Sequence, residues 1–131
     1  NILLDTHIFL WALIEPSRIS RESQELLVDG RHSTWLSPIS IWEILTLGRK
    51  NKVVFQPNAD TWLKKQLELL SLQTCPVTDQ VAFVSQHISL SHHDPADRFI
   101  AASAVVYKLV LMTADQRLLN QDLGYTCIDR R

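Results

Sequence analysis

The chain has 131 residues, 46% apolar and 21% charged, the balance of one soluble globular domain long enough to bury a core without disulfides or a structural metal. Thirteen basic against fourteen acidic side chains leave a net charge of −1, which excludes a protein that holds nucleic acid by bulk positive charge, so any polyanion site must be local. No apolar run approaches the ~18 residues of a membrane span and no leader pattern opens the chain, so the cytoplasm is the expected location. Because Asn1 rather than Met precedes Ile2, Leu3 and Leu4, the chain is expected to begin one or two residues late. Cys75 and Cys127 form neither a C-x-x-C pair nor a zinc spacing and read as reduced thiols, with a disulfide left open.

In chain order, Ile2 to Leu4 reads as a short buried strand, and Asp5-Thr6 as the cap of a helix with Ile8, Phe9, Trp11 and Ala12 at helical spacing. Ser20 caps a helix through Leu26, Leu27 and Val28 that stops at Gly30, and Ser33 to Leu36 forms a second strand. Ser37-Pro38 starts a helix that runs to a Gly48 stop. Asp60 is expected to cap a helix with Trp62, Leu63, Leu67 and Leu70 on its apolar side, and Leu72 to Val77 to form a third strand despite Pro76.

Thr78 begins a helix through Phe83, Ile88 to His93 is a loop, and Asp94-Pro95 opens a central helix that is apolar nearly all round. Leu109 to Met112 is a strand, Ala114 to Asn120 a short helix, and Tyr125 to Ile128 a last strand. Strands alternating with helices predict an α/β fold: one three-layer domain with a mostly parallel sheet of four or five strands flanked by helices.

In such a sheet, ligands bind beyond the carboxyl ends of the strands. Asp5 follows the first strand directly, Asp115 follows the Leu109 to Met112 strand, Glu43 lies two turns into the helix after the second strand, and Asp94 and Asp97 sit in the first turn of the central helix. Five carboxylates from four separated segments thus reach one sheet end. Each has an ordinary alternative: Asp94 before Pro95 is an N-cap, Asp97 a dipole-favoured first-turn acid, and Asp5 and Asp115 can serve helix starts. Glu43 shares an apolar face with Ile39 and Leu47 and needs a partner, either an arginine such as Arg98 or a capping box with Ser40.

Two carboxylates about 5 Å apart repel by roughly 3 kcal/mol at an effective dielectric of 20, so several gathered acids call for a cation. Oxygen-only ligands select magnesium or manganese over zinc. The chain lacks a G-x-x-x-x-G-K-[ST] loop, a G-x-G-x-x-G after the first strand, and a G-x-S-x-G elbow. His7, where a haloacid dehalogenase-type phosphatase requires Asp, nearly removes that class. His92 and His93 are read as solvated loop residues, and the role of His7 is left open.

Four stretches, Leu3-Leu4-Asp5-Thr6-His7, Ser37-Pro38-Ile39-Ser40-Ile41-Trp42-Glu43-Ile44, the run from His93 to Ala104 containing Asp94-Pro95-Ala96-Asp97-Arg98, and Met112-Thr113-Ala114-Asp115, resemble the motifs of PIN domains. Their order and span are most similar to VapC-type toxins of bacterial toxin-antitoxin pairs. The resemblance implies a Mg2+- or Mn2+-dependent ribonuclease in which Asp5, Glu43, Asp97 and Asp115 are catalytic metal ligands, with Asp94, Thr113 and Thr6 as accessory groups. It further implies cleavage of RNA to 5′-phosphate and 3′-hydroxyl ends, a homodimer, and a small antitoxin seated in the active-site groove.

Phosphate contacts are expected from Arg98 and Arg117 beside the acids and from Arg49 and Lys50 after the Glu43 helix, where helix-end cations are also ordinary. The alternative is a catalytically silent interaction module with a PIN-like fold.

Overall fold

The structure is a computed structural model that describes residues 1–88 and 94–115, together with the backbone of 126–129. Strand β1 (Ile2–Leu4) leads into helix α1 (Thr6–Ile14), and a 3-10 turn (Pro16–Arg18) joins it to α2 (Arg21–Val28). Then follow β2 (Thr34–Leu36), α3 (Pro38–Arg49), α4 (Ala59–Leu69), β3 (Leu72–Thr74), α5 (Asp79–Ser85), α6 (Pro95–Tyr107), β4 (Val110–Thr113) and β5 (Thr126–Asp129).

The five strands are all parallel, in the order β3-β2-β1-β4-β5. β1 occupies the centre, with Leu3 opposite Trp35 on one side and Leu111 on the other. Because successive side chains of a strand point to opposite faces, the three residues of β1 divide between two cores. Leu3 joins Leu111, Val81, Ile100 and Ala101 under α5 and α6, whereas Ile2 and Leu4 join Leu36, Met112, Ile8, Phe9, Ile44 and Leu63 under α1, α3 and α4. The predicted three-layer α/β arrangement is therefore the observed one.

Most element boundaries agree with expectation, and the departures have local causes. Asn58, not Asp60, caps α4, its Oδ1 accepting from the Thr61 N–H at 2.9 Å, which leaves Asp60 as a first-turn acid. α3 continues one residue past Gly48 to Arg49. That glycine serves helix packing: a Cβ there would lie 2.6 Å from the Cβ of Ala59 and 3.4 Å from Cδ2 of Phe55. β3 ends at Thr74 and does not reach Val77, since it is an edge strand and Pro76 has no N–H for the ladder.

α5 runs from Asp79, capped by Thr78, to Ser85, and β4 begins at Val110. Leu109 is withheld from the strand because its N–H closes α6 on the Ala104 carbonyl at 2.9 Å, with Lys108 in the left-handed conformation at φ 55°. β5 begins at Thr126. The expected 114–120 helix and 88–93 loop fall largely outside the described residues, which include Ala114, Asp115 and Ile88.

Cys75, buried and free, follows edge strand β3, while Cys127 pairs with Leu111 in the opposite edge strand β5. Four inter-strand spacings of about 4.8 Å separate the two edges, far beyond the ~7 Å Cα limit of a disulfide, so the two cysteines do not bridge within the chain. Among the described residues, no helix is long and apolar enough to cross a membrane.

Candidate functional site

Asp5, Glu43, Asp94, Asp97 and Asp115 line one cleft of about 300 Å³ together with His7, Trp11 and Ala114. The elements deliver them as parallel topology requires: Asp5 at the end of β1, Asp115 just past β4, Glu43 from α3, and Asp94 and Asp97 from the start of α6. Among the described residues, none of the lining side chains is lysine or arginine.

Asp5, only 7% exposed, is held at both oxygens. The Thr6 N–H donates to Oδ1 at 2.8 Å, making Asp5 the N-cap of α1, and Thr113 Oγ1 donates to Oδ2 at 2.7 Å. Thr113, fully buried, also accepts from the Asp115 N–H at 3.0 Å, so one hydroxyl couples the first acid to the backbone of the last. Burial pushes the Asp5 carboxyl above its ordinary value, as does the Asp115 charge more weakly; the Thr113 and Thr6 hydrogen bonds and His7 oppose them.

Glu43 takes neither of the two ordinary partners. The Arg98 guanidinium donates instead to the carbonyls of Ile88 at 2.7 Å and Ser85 at 3.5 Å, fastening α6 to the end of α5. Glu43 Oε1 accepts from Thr6 Oγ1 at 2.5 Å, and the same hydroxyl lies 2.9 Å from Ser40 Oγ. Ser40 is thus near the acid but forms no capping box, because Ser37 is the N-cap of α3. Desolvation raises the Glu43 carboxyl, helped by the charges of Asp5 and Asp94 and opposed by the Thr6 bond and His7.

Asp94 is the N-cap the sequence suggested, its Oδ1 accepting from the N–H groups of Ala96 at 3.0 Å and Asp97 at 3.4 Å, and it also faces the cleft. Asp97 is 7% exposed and is the third residue of α6, in its first turn. Among the described residues no three His, Cys, Asp or Glu side chains are close enough to chelate an ion. The donor set itself, carboxylate oxygens on one cleft, is of the kind hard divalent ions take.

Of the remaining residues, Arg49 and Lys50 lie elsewhere. Arg49 lines a larger cleft of about 800 Å³ at the far end of α3, beside Trp42 and the loop into α4, which contains none of the five acids. Lys50 is exposed at the C-cap of α3, and Arg117, His92 and His93 lie outside the described residues. Trp11 at the cleft wall was not singled out by the sequence, although its spacing of four from His7 on one helix placed both on the same face.

The PIN domain family model matches residues 2–122 of the chain. The chain belongs to the PIN domain family. This PIN domain is 29% identical over 119 residues to "Ribonuclease VapC22" of Mycobacterium tuberculosis, covering 90% of this chain and 89% of that protein. Two solved structures share its fold: VapBC2 from Rickettsia felis bound to a promoter DNA fragment, with TM-score 0.75, 16% identity and 99% and 98% of the two chains covered, and DNA-bound VapBC from Salmonella typhimurium, with TM-score 0.76, 19% identity and 98% and 97% covered.

The raised Asp5 and Glu43 carboxyls give this PIN domain a defined pH response. Groups whose folded pKa exceeds the ordinary 3.8 of Asp or 4.5 of Glu bind protons more tightly in the folded chain, so their contribution to stability falls as pH rises through those values to the raised ones. Asp29, held down to about 2 by the Arg31 hydrogen bonds, acts oppositely but only below 3.8. In chelator above pH 5, Glu43→Gln, which keeps an Oε1 acceptor for Thr6, is expected to raise the melting temperature by a few degrees and to flatten its decline with pH. Thermal melts of the two proteins from pH 4 to 8 check this; parallel curves would refute it.

Proposed function

We propose that this PIN domain is a divalent-metal-dependent endoribonuclease, the toxin half of a toxin-antitoxin pair that acts on RNA in the cytoplasm. The observation that carries the reading is the convergence of five carboxylates from four chain segments on one cleft. Similarity to a protein named a ribonuclease VapC supports the choice of RNA, and the VapBC assemblies that share the fold support an antitoxin partner. A homodimer belongs to the same proposal.

Asp5, Glu43, Asp97 and Asp115 would hold magnesium or manganese, with Asp94 as an accessory acid. Such an ion supplies charge neutralisation at phosphate oxygens and activation of water for displacement at phosphorus. The chain's own task is to aim its oxygens. Thr113 and the Thr6 N–H orient the Asp5 carboxylate, and the Thr6 hydroxyl orients Glu43. Asp94, by capping α6, sets the helix start that presents Asp97. The Asp5 and Glu43 carboxylates are thereby restrained before substrate arrives, which lowers the cost of assembling the site.

The test is incubation of the purified protein with total cellular RNA in magnesium, in manganese and in chelator, followed by end mapping. Cleavage that requires metal and leaves 5′-phosphates is expected. No cleavage in either metal by folded, partner-free protein would overturn the proposal.

A further inference from the structure

Against the acidic cleft lies a second recess of about 370 Å³, and the two share His7 and Trp11 as a common wall. His7, Trp11 and Ile14 follow one another at spacings of four and three on α1, so one helix face forms that wall. Arg18, from the 3-10 turn, and Lys52, just past α3, provide the recess with its cations.

Arg18 is not a loose surface charge. Its Cζ stands 4.2 Å from the centroid of the Trp11 ring, a cation–π contact that holds the guanidinium over the shared wall. Glu15, the one acid lining the recess among the described residues, is 3.7 Å away with both side chains more than half exposed, a pairing that water and salt largely screen. Lys52 is exposed and takes part in no ion pair among the described residues.

An RNA strand is repelled by the five acids except where an ion neutralises them, so its next phosphates need cations close outside the cleft. Arg98 is committed to the Ile88 and Ser85 carbonyls, and Arg49 opens onto the other cleft. Arg18 and Lys52 line the recess that adjoins the acids.

We propose that this recess is a phosphate subsite, in which Arg18, seated on Trp11, and Lys52 bind a backbone phosphate of the RNA strand next to the one at the carboxylates. The proposal rests on the nuclease reading and adds where the strand leaves the acidic cleft.

The test compares the native chain with an Arg18→Gln/Lys52→Gln double variant, by cleavage kinetics across a salt series. Binding of a labelled single-stranded RNA is measured in parallel in the Asp97→Asn background. Loss of two phosphate contacts is expected to raise KM and Kd about 5–10-fold, to move kcat far less, and to flatten the plot of log Kd against log salt by about 1.4, from roughly 0.7 per contact on a single strand. Arg18→Lys/Lys52→Arg is expected to retain the native salt slope, which separates charge from packing.

Native cleavage with an unchanged slope and KM in the double variant would overturn the subsite while leaving the nuclease standing. Reduced partner-protein binding with RNA behaviour intact would overturn it in favour of a protein interface. Neither cleavage by the native chain nor RNA binding in the Asp97→Asn background would remove both readings.

Discussion

Replacing Asp97 by Asn is expected to cut metal-dependent RNA cleavage by at least about a thousandfold, because loss of one carboxylate from the ion's ligand set forfeits several kcal/mol of charge stabilisation at phosphorus. Asp97 is almost fully enclosed, at 7% exposure, and the change preserves its size, so the variant is expected to keep the fold, which its metal-free melting temperature checks. A second readout separates metal binding from chemistry. At about a hundred times the dissociation constant, magnesium should stabilise the native chain by about 2.7 kcal/mol, and this gain should vanish in the variant. Thermal melts with and without magnesium check it. Equal shifts in both proteins would show that the ion binds elsewhere, and cleavage by the variant at native rates would remove Asp97 from the site.

Thr113→Val tests the support beneath the acids. Valine matches threonine in shape but leaves Asp5 Oδ2 without its donor and the Asp115 N–H without its acceptor in a fully buried position. A hydrogen bond to a buried charge is worth about 2–3 kcal/mol, which in a chain of this length lowers the melting temperature on the order of 10 °C. Cleavage should fall about 10–100-fold, as for loss of a group that orients a metal ligand. Thr113→Ser, which restores the hydroxyl, should recover most of both. Failure of serine to rescue would place the importance of Thr113 in its methyl group and packing.

The two substitutions probe different levels of the same construction. Asp97 is proposed to touch the ion, whereas Thr113 acts only through Asp5 and the Asp115 backbone. If Asp97→Asn abolishes cleavage and leaves metal-free stability intact while Thr113→Val damages both, the hierarchy is established by experiment.

The layered α/β fold, the caps at Asp5, Ser20, Ser37, Thr78 and Asp94, and the gathering of acids at the carboxyl ends of parallel strands were legible in the chain itself. Period, capping chemistry and the β-α alternation are local signals, and the topology rule for ligand sites needs nothing more. The cap at Asn58, the overrun of Gly48 and the late start of β4 were not legible. The Thr61 N–H took Asn58 and the closing turn of α6 claimed Leu109, while Gly48 lies inside α3 where Ala59 comes close against it.

The partners of the acids likewise belonged to the tertiary structure. That Glu43 needed a partner followed from its apolar helix face, but the partner is Thr6, 37 residues away on another helix, and not Arg98 or a cap within its own. The bond between Thr113 and Asp5 spans 108 residues and exists because β1 and β4 are adjacent in the sheet. Sequence determined which groups could carry charge to one sheet edge, since that depends on residue type and position along elements. Only folding decided which hydroxyl faces which carboxylate and that Arg18 rests on Trp11 beside the acids, since those contacts are set by the packing of segments distant in the chain.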